Sequence, residues 1–576
     1  MSRYLLASVT STPPKPVPSL HDPLVIAGGF VGLACLSIVL FASQAAWTAW
    51  FTHPLLLERI GEIPTETVQG VRLLFTVAPV AALAWILAPW LLRWFDRGSP
   101  IPRFPSFPPP PTFATKSMVV LLTVLAIVPR LIRIEESLWY DEIAAMSSFS
   151  IHGPGPALGN YYALSNHVLH SALASLVIDA NGGANELVLR VPALLAGIAC
   201  VPAMFGLART VDGDRFGLIA AAVMALMPVA VLESVDARGY SLMMLFTILT
   251  TTQVVRIADG HRSGALWYAA FATLGCWSHF AFAFVPLGHG LLAISWLFRR
   301  HRRGPGLRLA VGLGLGGVTT LLVLAPVLPS FFLIRGEFVA VDGDEPALFG
   351  IEAWKAFLQL GGSWYLWASL PGLALALLGG TESSRWPRLR IATFASVAGG
   401  LVTGVILLAG DGWVYARFLL FLVPGAVLLV AAGIRALAYL PQRSEPAYVA
   451  ALILAIGWCT ALAVRPPRQP IRDAIEALAA PAAGRSVWSI GLGDDVADYY
   501  GSALDLRLQH AGNLGARLDA AALADGPDHA VVLYPDLVTE STRALLEAAG
   551  FRTTDRFEGW LDWGHGDVEL LTRPTR

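Results

Sequence analysis

Long apolar runs separated by short polar segments occupy most of the chain between residues 24 and 464. A membrane-spanning helix needs about 20 predominantly apolar residues. Thirteen segments meet or approach this length: 24–50, 71–93, 117–134, 187–208, 216–232, 240–257, 265–281, 282–298, 309–332, 366–380, 391–409, 416–438 and 447–464. The pattern predicts an all-α polytopic membrane protein with about thirteen transmembrane helices.

Beyond Arg465 the apolar runs stop and the periodicity changes. Short β-like segments (486–492, 530–534 and 567–572) alternate with helix-like segments (471–480 and 539–549). This alternation is typical of a small α/β domain. Gly491-Leu492-Gly493 follows one of the strand-like segments, but the remainder of a dinucleotide-binding fingerprint is missing. A turn is therefore expected there.

A Pro-rich stretch, Pro100 to Pro111, interrupts the helical pattern and predicts an extended linker. The predicted divisions are an N-terminal segment with a two-helix membrane hairpin (1–99), the linker (100–116), a membrane domain (117–465) and the α/β domain (466–576).

The charged residues are sorted between alternate loops. If the N-terminus is cytoplasmic, Lys and Arg collect in the cytoplasmic loops, at residues 93–116, 209–215, 256–262, 299–308, 385–390 and 435–443. The opposite loops are rich in Asp and Glu, for example at residues 58–66, 141–142, 233–236 and 342–345. The positive-inside rule then places the linker in the cytoplasm and the C-terminal domain outside.

The amino-acid composition excludes some classes of function. Hydrophobic residues make up 55% of the 576 residues, charged residues 14%, and the mean hydropathy is +0.61, which indicates lipid as the main solvent. The net charge of −1 argues against a nucleic-acid partner. All four cysteines lie in apolar runs, so neither a disulfide framework nor a cysteine metal cluster is expected.

The segment Arg130 to Ile143 combines charge with aromatic residues directly after an apolar helix. Asp141 and Glu142 follow Trp139 and Tyr140, at the predicted outer interface. Trp and Tyr there are also consistent with an ordinary aromatic belt. Sugar transfer from a phosphate needs a carboxylate that orients or deprotonates the acceptor and cations that hold the departing phosphate. This segment is accordingly the candidate for the chemistry.

Leu138-Trp139-Tyr140-Asp141-Glu142 resembles the Asp-Glu motif in the first large outer loop of the GT-C superfamily of membrane glycosyltransferases. The resemblance is to the bacterial branch related to protein O-mannosyltransferases and lipid A aminoarabinose transferases. It extends over residues 117–465. Further similar stretches occur in the family's order: Asn166-His167, Glu186 to Pro192, Glu233 to Tyr240, Ser278-His279-Phe280 and Tyr415 to Phe418. Val168 and Asp236 depart from the family pattern, which commonly has Pro and Glu.

The resemblance implies roles for these residues. Asp141 would be the catalytic base or acceptor ligand, supported by Glu142. Four residues would bind the donor phosphate: Arg238, Arg417, His279 and Tyr240. Six would bind substrate: Trp139, Tyr140, Asn166, His167, Glu233 and Asp236.

The resemblance also implies a substrate class. The donor would be a polyprenyl-phosphate monosaccharide, and the acceptor a hydroxyl of a glycan, lipid or protein. Transfer would invert the sugar at the outer face of a bacterial inner membrane. No cofactor is expected, although a divalent metal is left open.

Several alternatives stay open. His167 and His170, at i and i+3, could share a metal. Arg238 and Arg417 could be snorkelling arginines, and His279 a packing residue. The chain could instead be a transporter or flippase, a lipid-linked oligosaccharide polymerase or ligase, or a non-catalytic scaffold. The outer loop 333–364 contains an amphipathic stretch, 351–360, that predicts an interfacial helix covering the site.

Overall fold

A computed structural model describes residues 22–96, 108–338, 366–383, 386–409, 416–438, 445–482, 484–491, 494–512, 517–561 and 566–574. The predicted interfacial helix at 351–360, Leu492-Gly493 and most of the Pro-rich linker lie outside these ranges. Within them the chain is mostly helical up to Val464 and forms a small α/β unit afterwards. The predicted fold class is confirmed, whereas the four domain boundaries stay predictions.

Helices occur at all thirteen segments predicted to span the membrane. The longer ones are Pro23–Leu40, Thr65–Asp96, Phe113–Leu125, Glu186–Leu226, Tyr240–Ala258, Ser263–Ser278, Phe284–Leu297, Arg303–Leu324, Leu328–Phe338, Leu366–Ser383, Pro387–Ala409, Val423–Ala438 and Glu445–Val464. Among the described residues, nine helical stretches are long and apolar enough to cross a membrane.

Two boundaries depend on local chemistry. The predicted segment 24–50 is two helices, because Ser43 accepts a hydrogen bond from the Ala46 N–H (3.2 Å) and starts a new helix, Gln44–Phe51. The long helix Glu186–Leu226 is broken by non-helical backbone at Asp212 and Gly213, between the two predicted segments.

Shorter helices connect the long ones. The α-helices are Pro54–Ile60, Ile127–Leu131, Tyr140–Ser148, Pro154–Gly159, Val168–Asn181 and Pro228–Leu232. The 3₁₀ helices are Ser150–His152, Glu233–Val235, Phe280–Ala283, Arg300–Arg302 and Ala416–Leu422.

The N-terminal hairpin packs closely. A Cβ at Gly28 would lie 2.5 Å from the Trp85 carbonyl oxygen, and one at Gly32 would lie 2.8 Å from the Ile86 side chain. Small residues four apart are typical of helix pairs in membranes, since they allow backbones to approach. Trp85 also donates to the Thr319 hydroxyl (2.9 Å), which joins the hairpin to the rest of the membrane domain.

The C-terminal unit is built on a five-stranded sheet of order β2-β1-β3-β5-β4. The strands are β1 Ser486–Ile490, β2 Arg507–His510, β3 His529–Leu533, β4 Arg552–Phe557 and β5 Val568–Thr572. β1 is parallel to β2 and β3, whereas β5 is antiparallel to β3 and β4. The helices are Ile471–Ala479, Asp494–Ala503, Ala520–Asp525, the 3₁₀ turn Pro535–Leu537, and Glu540–Ala548.

The two faces of this sheet belong to different cores. Ala530 and Val532 of β3 pack in one core with Trp488 and Phe551. Their neighbours in β3 face the other way, into a core shared with the loop that follows the helix Ile127–Leu131. The members of that shared core include Leu138, Trp139, Ile143, Met146, Ile471, Ile475, Val531, Leu533, Tyr534 and Val568. The sheet is thus packed onto the segment that carries the Asp-Glu pair.

Candidate active site

Asp141 and Glu142 lie in the first turn of the helix Tyr140–Ser148. The Glu142 carboxylate accepts a hydrogen bond from the Trp139 N–H (3.2 Å), which closes the helix start. Carboxylates near a helix N-terminus are also stabilised by the helix dipole. Successive helical residues point about 100° apart, so the two acids face different surroundings.

Glu142 is sealed inside the protein. Its side chain is fully buried, and Arg190 donates to both carboxylate oxygens, at 2.8 and 3.0 Å. The Ala237 N–H donates to Oε1 at 2.6 Å. Burial raises the pKa of Glu142, and the Arg190 guanidinium opposes that shift. Arg190 also donates to three loop carbonyls, those of Ile134, Glu136 and Ser137. In this geometry Glu142 positions the loop and is not open to substrate.

Asp141 is the open member of the pair. Arg238 and Arg417 each approach its Oδ2 to 3.5 Å, and the side chain remains 19% exposed. Among the described residues, Oδ1 has no hydrogen-bonding partner, and it is the oxygen available to a substrate. Two guanidiniums from segments 97 and 276 residues away thus meet at one carboxylate (238 − 141 and 417 − 141).

Both arginines are held by their surroundings. Arg238 donates to the Ser165 carbonyl (2.6 Å) and to the Asp141 carbonyl (3.1 Å), and its side chain is 4% exposed. The Arg417 guanidinium lies 5.4 Å from the Trp139 ring centre and 5.9 Å from that of Phe418. Stacking on aromatic faces in this way fixes the orientation of the Arg417 guanidinium.

Two guanidiniums lie near the Trp139 ring. The Arg468 guanidinium is 5.4 Å from the centre of the Trp139 ring, as far as that of Arg417, and the Trp139 Nε1–H donates to Asp236 Oδ1 at 2.9 Å. Arg468 pairs with Glu233 (2.6 Å) and Asp236 (3.3 Å). Burial alone raises the pKa of Asp236, but Arg468 and the Trp139 hydrogen bond hold it below its ordinary value.

The predicted substrate-binding acids are therefore already engaged. Glu233 and Asp236 are buried, with 0% and 1% exposure, and their carboxylates hold Arg468. The structure favours a positioning role for both, and their contact with substrate stays a prediction.

A cluster of aromatic and imidazole rings lies beside Arg238 and Arg417. The His167 ring centre is 4.6 Å from that of His279 and 4.9 Å from that of Tyr240. The Gly239 N–H donates to His167 Nδ1 (2.6 Å), and a Cβ at Gly239 would lie 2.9 Å from the same nitrogen. Only glycine allows this approach. The Tyr240 hydroxyl is buried and has no hydrogen-bonding partner among the described residues.

Burial favours the neutral form of His167. Burial, followed by the charge of Arg238, lowers the pKa of His167 well below its usual range. Since Nδ1 of His167 accepts a hydrogen bond, its proton is assigned to Nε2. A neutral histidine has one N–H to offer a phosphate oxygen, which fits the predicted contact of His279 with the donor.

Asn166 supports the same region. Asn166 donates to the carbonyls of Ala157 (3.1 Å) and Asn160 (2.8 Å), which holds the loop in place.

In the described part of the chain, no three His, Cys, Asp or Glu side chains are placed to hold a metal ion. The absence of a cofactor stays a prediction.

The structure adds functional residues that the sequence did not single out as site residues. Arg190, Arg465, Arg468 and Gln469 all lie within the network around the loop. Arg465 pairs with Glu136 at 2.9 Å, and Gln469 accepts a hydrogen bond from the Tyr140 N–H at 3.1 Å. The available signal was the Pro-rich segment 466–470, which carries polar residues directly after the last apolar run.

Comparison with known proteins gives a consistent result. Residues 168–329 match the family described as dolichyl-phosphate-mannose-protein mannosyltransferase. No curated protein sequence matches the chain. ArnT from Cupriavidus metallidurans in the apo state is 12% identical, and the match covers 80% of this chain and 98% of that one with a TM-score of 0.50.

Two further solved structures are similar. ArnT bound to undecaprenyl phosphate is 14% identical, with 79% and 98% of the chains covered and a TM-score of 0.49. The oligosaccharyltransferase AglB from Archaeoglobus fulgidus is 12% identical, with 73% and 69% covered and a TM-score of 0.46. At these identities the likeness to solved structures concerns the fold. The predicted resemblance is confirmed: this chain is a membrane protein of GT-C fold that resembles the superfamily's glycosyltransferases, including ArnT and the protein O-mannosyltransferases.

Proposed function

We propose that the protein transfers a monosaccharide from a polyprenyl-phosphate donor to a hydroxyl acceptor, with inversion at the sugar carbon. One observation carries the proposal: the Asp141 side chain is 19% exposed, and Arg238 and Arg417 both approach its Oδ2 to 3.5 Å. In this proposal a base and two phosphate-binding cations act together at one membrane interface. The family matched over residues 168–329 is described by a polyprenyl-phosphate sugar, which agrees with this donor class.

The donor side of the site is cationic. Two guanidiniums lie within 3.5 Å of one carboxylate, and the planar fork of Arg suits phosphate oxygens. His279 and Tyr240 would supply an N–H and an O–H donor. Their ring centres are 5.1 Å apart, and the His279 ring centre is 5.3 Å from that of Phe418, the residue that follows Arg417. Fixed donors around a departing phosphate stabilise the charge that develops on it.

The reaction proceeds by displacement at the anomeric carbon. Oδ1 of Asp141 accepts the proton of the acceptor hydroxyl as the acceptor oxygen bonds to that carbon. The bond between the carbon and the phosphate oxygen breaks, and the electron pair leaves with the polyprenyl phosphate. Arg238 and Arg417 hold the product phosphate. Glu142 and Arg190 keep the loop in register and do not touch the reacting atoms.

The sorting of charges between loops supports a location for the reaction. The site residues lie at the helix ends that the acid-rich loops connect, and Lys and Arg collect in the other loops. The positive-inside rule supports the outer face of a bacterial inner membrane, with the sheet domain on the same side. Nucleotide sugars are cytoplasmic, which makes a lipid-linked donor suitable for that face.

The experiment is a transfer assay in lipid nanodiscs. The purified protein is given a panel of undecaprenyl-phosphate hexoses and pentoses, radiolabelled in the sugar, with alkyl glycosides as acceptors. We expect undecaprenyl phosphate to be released and label to appear on an acceptor, and Asp141→Asn to remove both. Failure to consume any donor, or movement of the intact lipid between leaflets without sugar transfer, would contradict the proposal.

A further inference from the structure

The carboxyl end of β3 meets the loop that carries Asp141. Tyr534, directly after β3, packs edge-to-face on Tyr140, with ring centres 5.9 Å apart. Gln469, from the segment that leads into the sheet domain, accepts the Tyr140 N–H. The residue before Asp141 is therefore held through both its backbone and its ring by the C-terminal unit.

At this edge the order in which the chain adds strands to the α/β sheet reverses. From β1 the chain crosses to β2 on one side and then returns to β3 on the other, so β1 and β3 flank a topological switch point. Crevices at the carboxyl ends of such strands are the usual ligand sites of these sheets. Here the side chain at the edge is Tyr534, and its neighbour is the loop beside Asp141.

The backbone of Tyr534 is unusual. It has φ 56° and ψ 57°, a left-handed conformation that bulky side chains rarely adopt. Its side chain is buried, with 2% exposure. Such conformations persist where the surroundings determine them, and they concentrate at functional sites. The conformation places the Tyr534 ring in the core shared with Leu138, Trp139 and Ile143.

Further contacts fix the sheet domain to the same loop. The Tyr500 hydroxyl accepts from the Leu138 N–H (2.8 Å) and donates to Glu186 (3.1 Å). Arg472 also pairs with Glu186 (3.1 Å) and donates to the Glu135 carbonyl (2.8 Å). The loop and the sheet domain therefore share one core and one polar network, and a shift of the sheet edge displaces Tyr140.

Arg238 and Arg417 both approach Oδ2 of Asp141. In a displacement the acceptor approaches from the side opposite the phosphate, so it comes to Oδ1 and not to the oxygen that faces Arg238 and Arg417. We propose that Tyr534 is a positioning residue that acts through Tyr140 to orient Asp141 toward the acceptor. The C-terminal sheet then forms the support of the acceptor side. This inference rests on the proposed function.

The test compares three variants of the full-length protein in nanodiscs. Tyr534→Ala removes the ring, Tyr534→Phe keeps it, and Trp488→Ala truncates a buried aromatic residue in the core on the opposite face of the sheet. A misplaced catalytic group costs about 10- to 100-fold in rate, so Tyr534→Ala should lose acceptor kcat/KM to that extent. Its Kd for undecaprenyl phosphate should stay unchanged, and Tyr534→Phe should retain most activity.

A second readout does not depend on turnover. Hydrogen exchange of residues 138–146 should accelerate in Tyr534→Ala and stay normal in Trp488→Ala. If Tyr534→Ala does not fold, Tyr534→Asn replaces it, because Asn tolerates the left-handed conformation. Normal acceptor kinetics in the Tyr534 variants, or an equal loss in Trp488→Ala, would overturn the inference while the enzyme remains active. A wild-type protein that consumes no donor would overturn the proposed function and, with it, this inference.

Discussion

Asp141 and Glu142 are adjacent and carry the same chemical group, but the protein surrounds them differently. Glu142 is fully buried, and Arg190 and the Ala237 N–H occupy its two oxygens. Asp141 is partly exposed, and Arg238 and Arg417 both approach its Oδ2 to 3.5 Å. A buried ion pair fixes structure, since breaking it leaves an uncompensated charge. A partly exposed carboxylate between two guanidiniums is the better candidate for chemistry.

The largest effect should come from the open acid. Asp141→Asn keeps the shape of the side chain but removes the base, and general-base catalysis typically contributes about 10²- to 10⁴-fold. We expect transfer from an undecaprenyl-phosphate sugar to fall by that factor while the melting temperature changes little. Near-wild-type turnover by the purified variant would exclude Asp141 as the base.

Substitution of Glu142, the buried acid, should mainly reduce stability. Glu142→Gln leaves Arg190 buried without its counter-charge, which we expect to lower the free energy of unfolding by about 3–5 kcal/mol. Unfolding followed by tryptophan fluorescence measures this loss. A variant as stable as the wild type would show that the Glu142–Arg190 pair does not hold the loop.

Substitution of Arg417 should weaken binding of the donor lipid and leave binding of the acceptor unchanged. Arg417→Ala removes charge-assisted hydrogen bonds worth about 1.5–3 kcal/mol, so affinity for undecaprenyl phosphate should fall about 10- to 100-fold while acceptor KM changes little. Arg435→Ala is the matched control, because Arg435 lies at the far end of the following helix and pairs with Asp212. Equal loss of lipid affinity in both variants would remove Arg417 from the phosphate site.

The smallest effect concerns pH. Burial, with Arg238, lowers the pKa of His170 from its ordinary 6.5 to about 3. Between these values the unfolded chain binds the additional proton, so stability falls as the pH drops below 6.5, by about 1.4 kcal/mol per pH unit for this group. His170→Gln should flatten the decline in melting temperature between pH 6.5 and 5. An unchanged slope would contradict the assigned burial of His170 in its neutral form.

The sequence predicted much of the fold because hydropathy acts locally. Apolar runs located the helices, and strand-like segments located three of the five strands. The β2 and β4 segments were not identified, since Arg507–His510 and Arg552–Phe557 alternate with exposed polar residues and bury little. The helix boundary before Gln44 was also not predicted from the apolar runs, because it depends on a single capping serine.

The sequence predicted which residues form the site but not which role each of them has. The resemblance pointed to Asp141, Arg238 and Arg417, and the structure brings all three together. Which of two adjacent acids is buried depends on Arg190 and Ala237, 48 and 95 residues away. Arg468 reaches Glu233 across 235 residues. Such pairings are properties of tertiary packing, and no local pattern encodes them.

The most direct measurement is a structure of the protein in nanodiscs with undecaprenyl phosphate. The account predicts a phosphate within about 3 Å of guanidinium nitrogens of both Arg238 and Arg417, with Asp141 Oδ1 facing the opening beside Tyr140. A phosphate bound away from these two arginines, or an Asp141 turned from the lipid into bulk solvent, would contradict it.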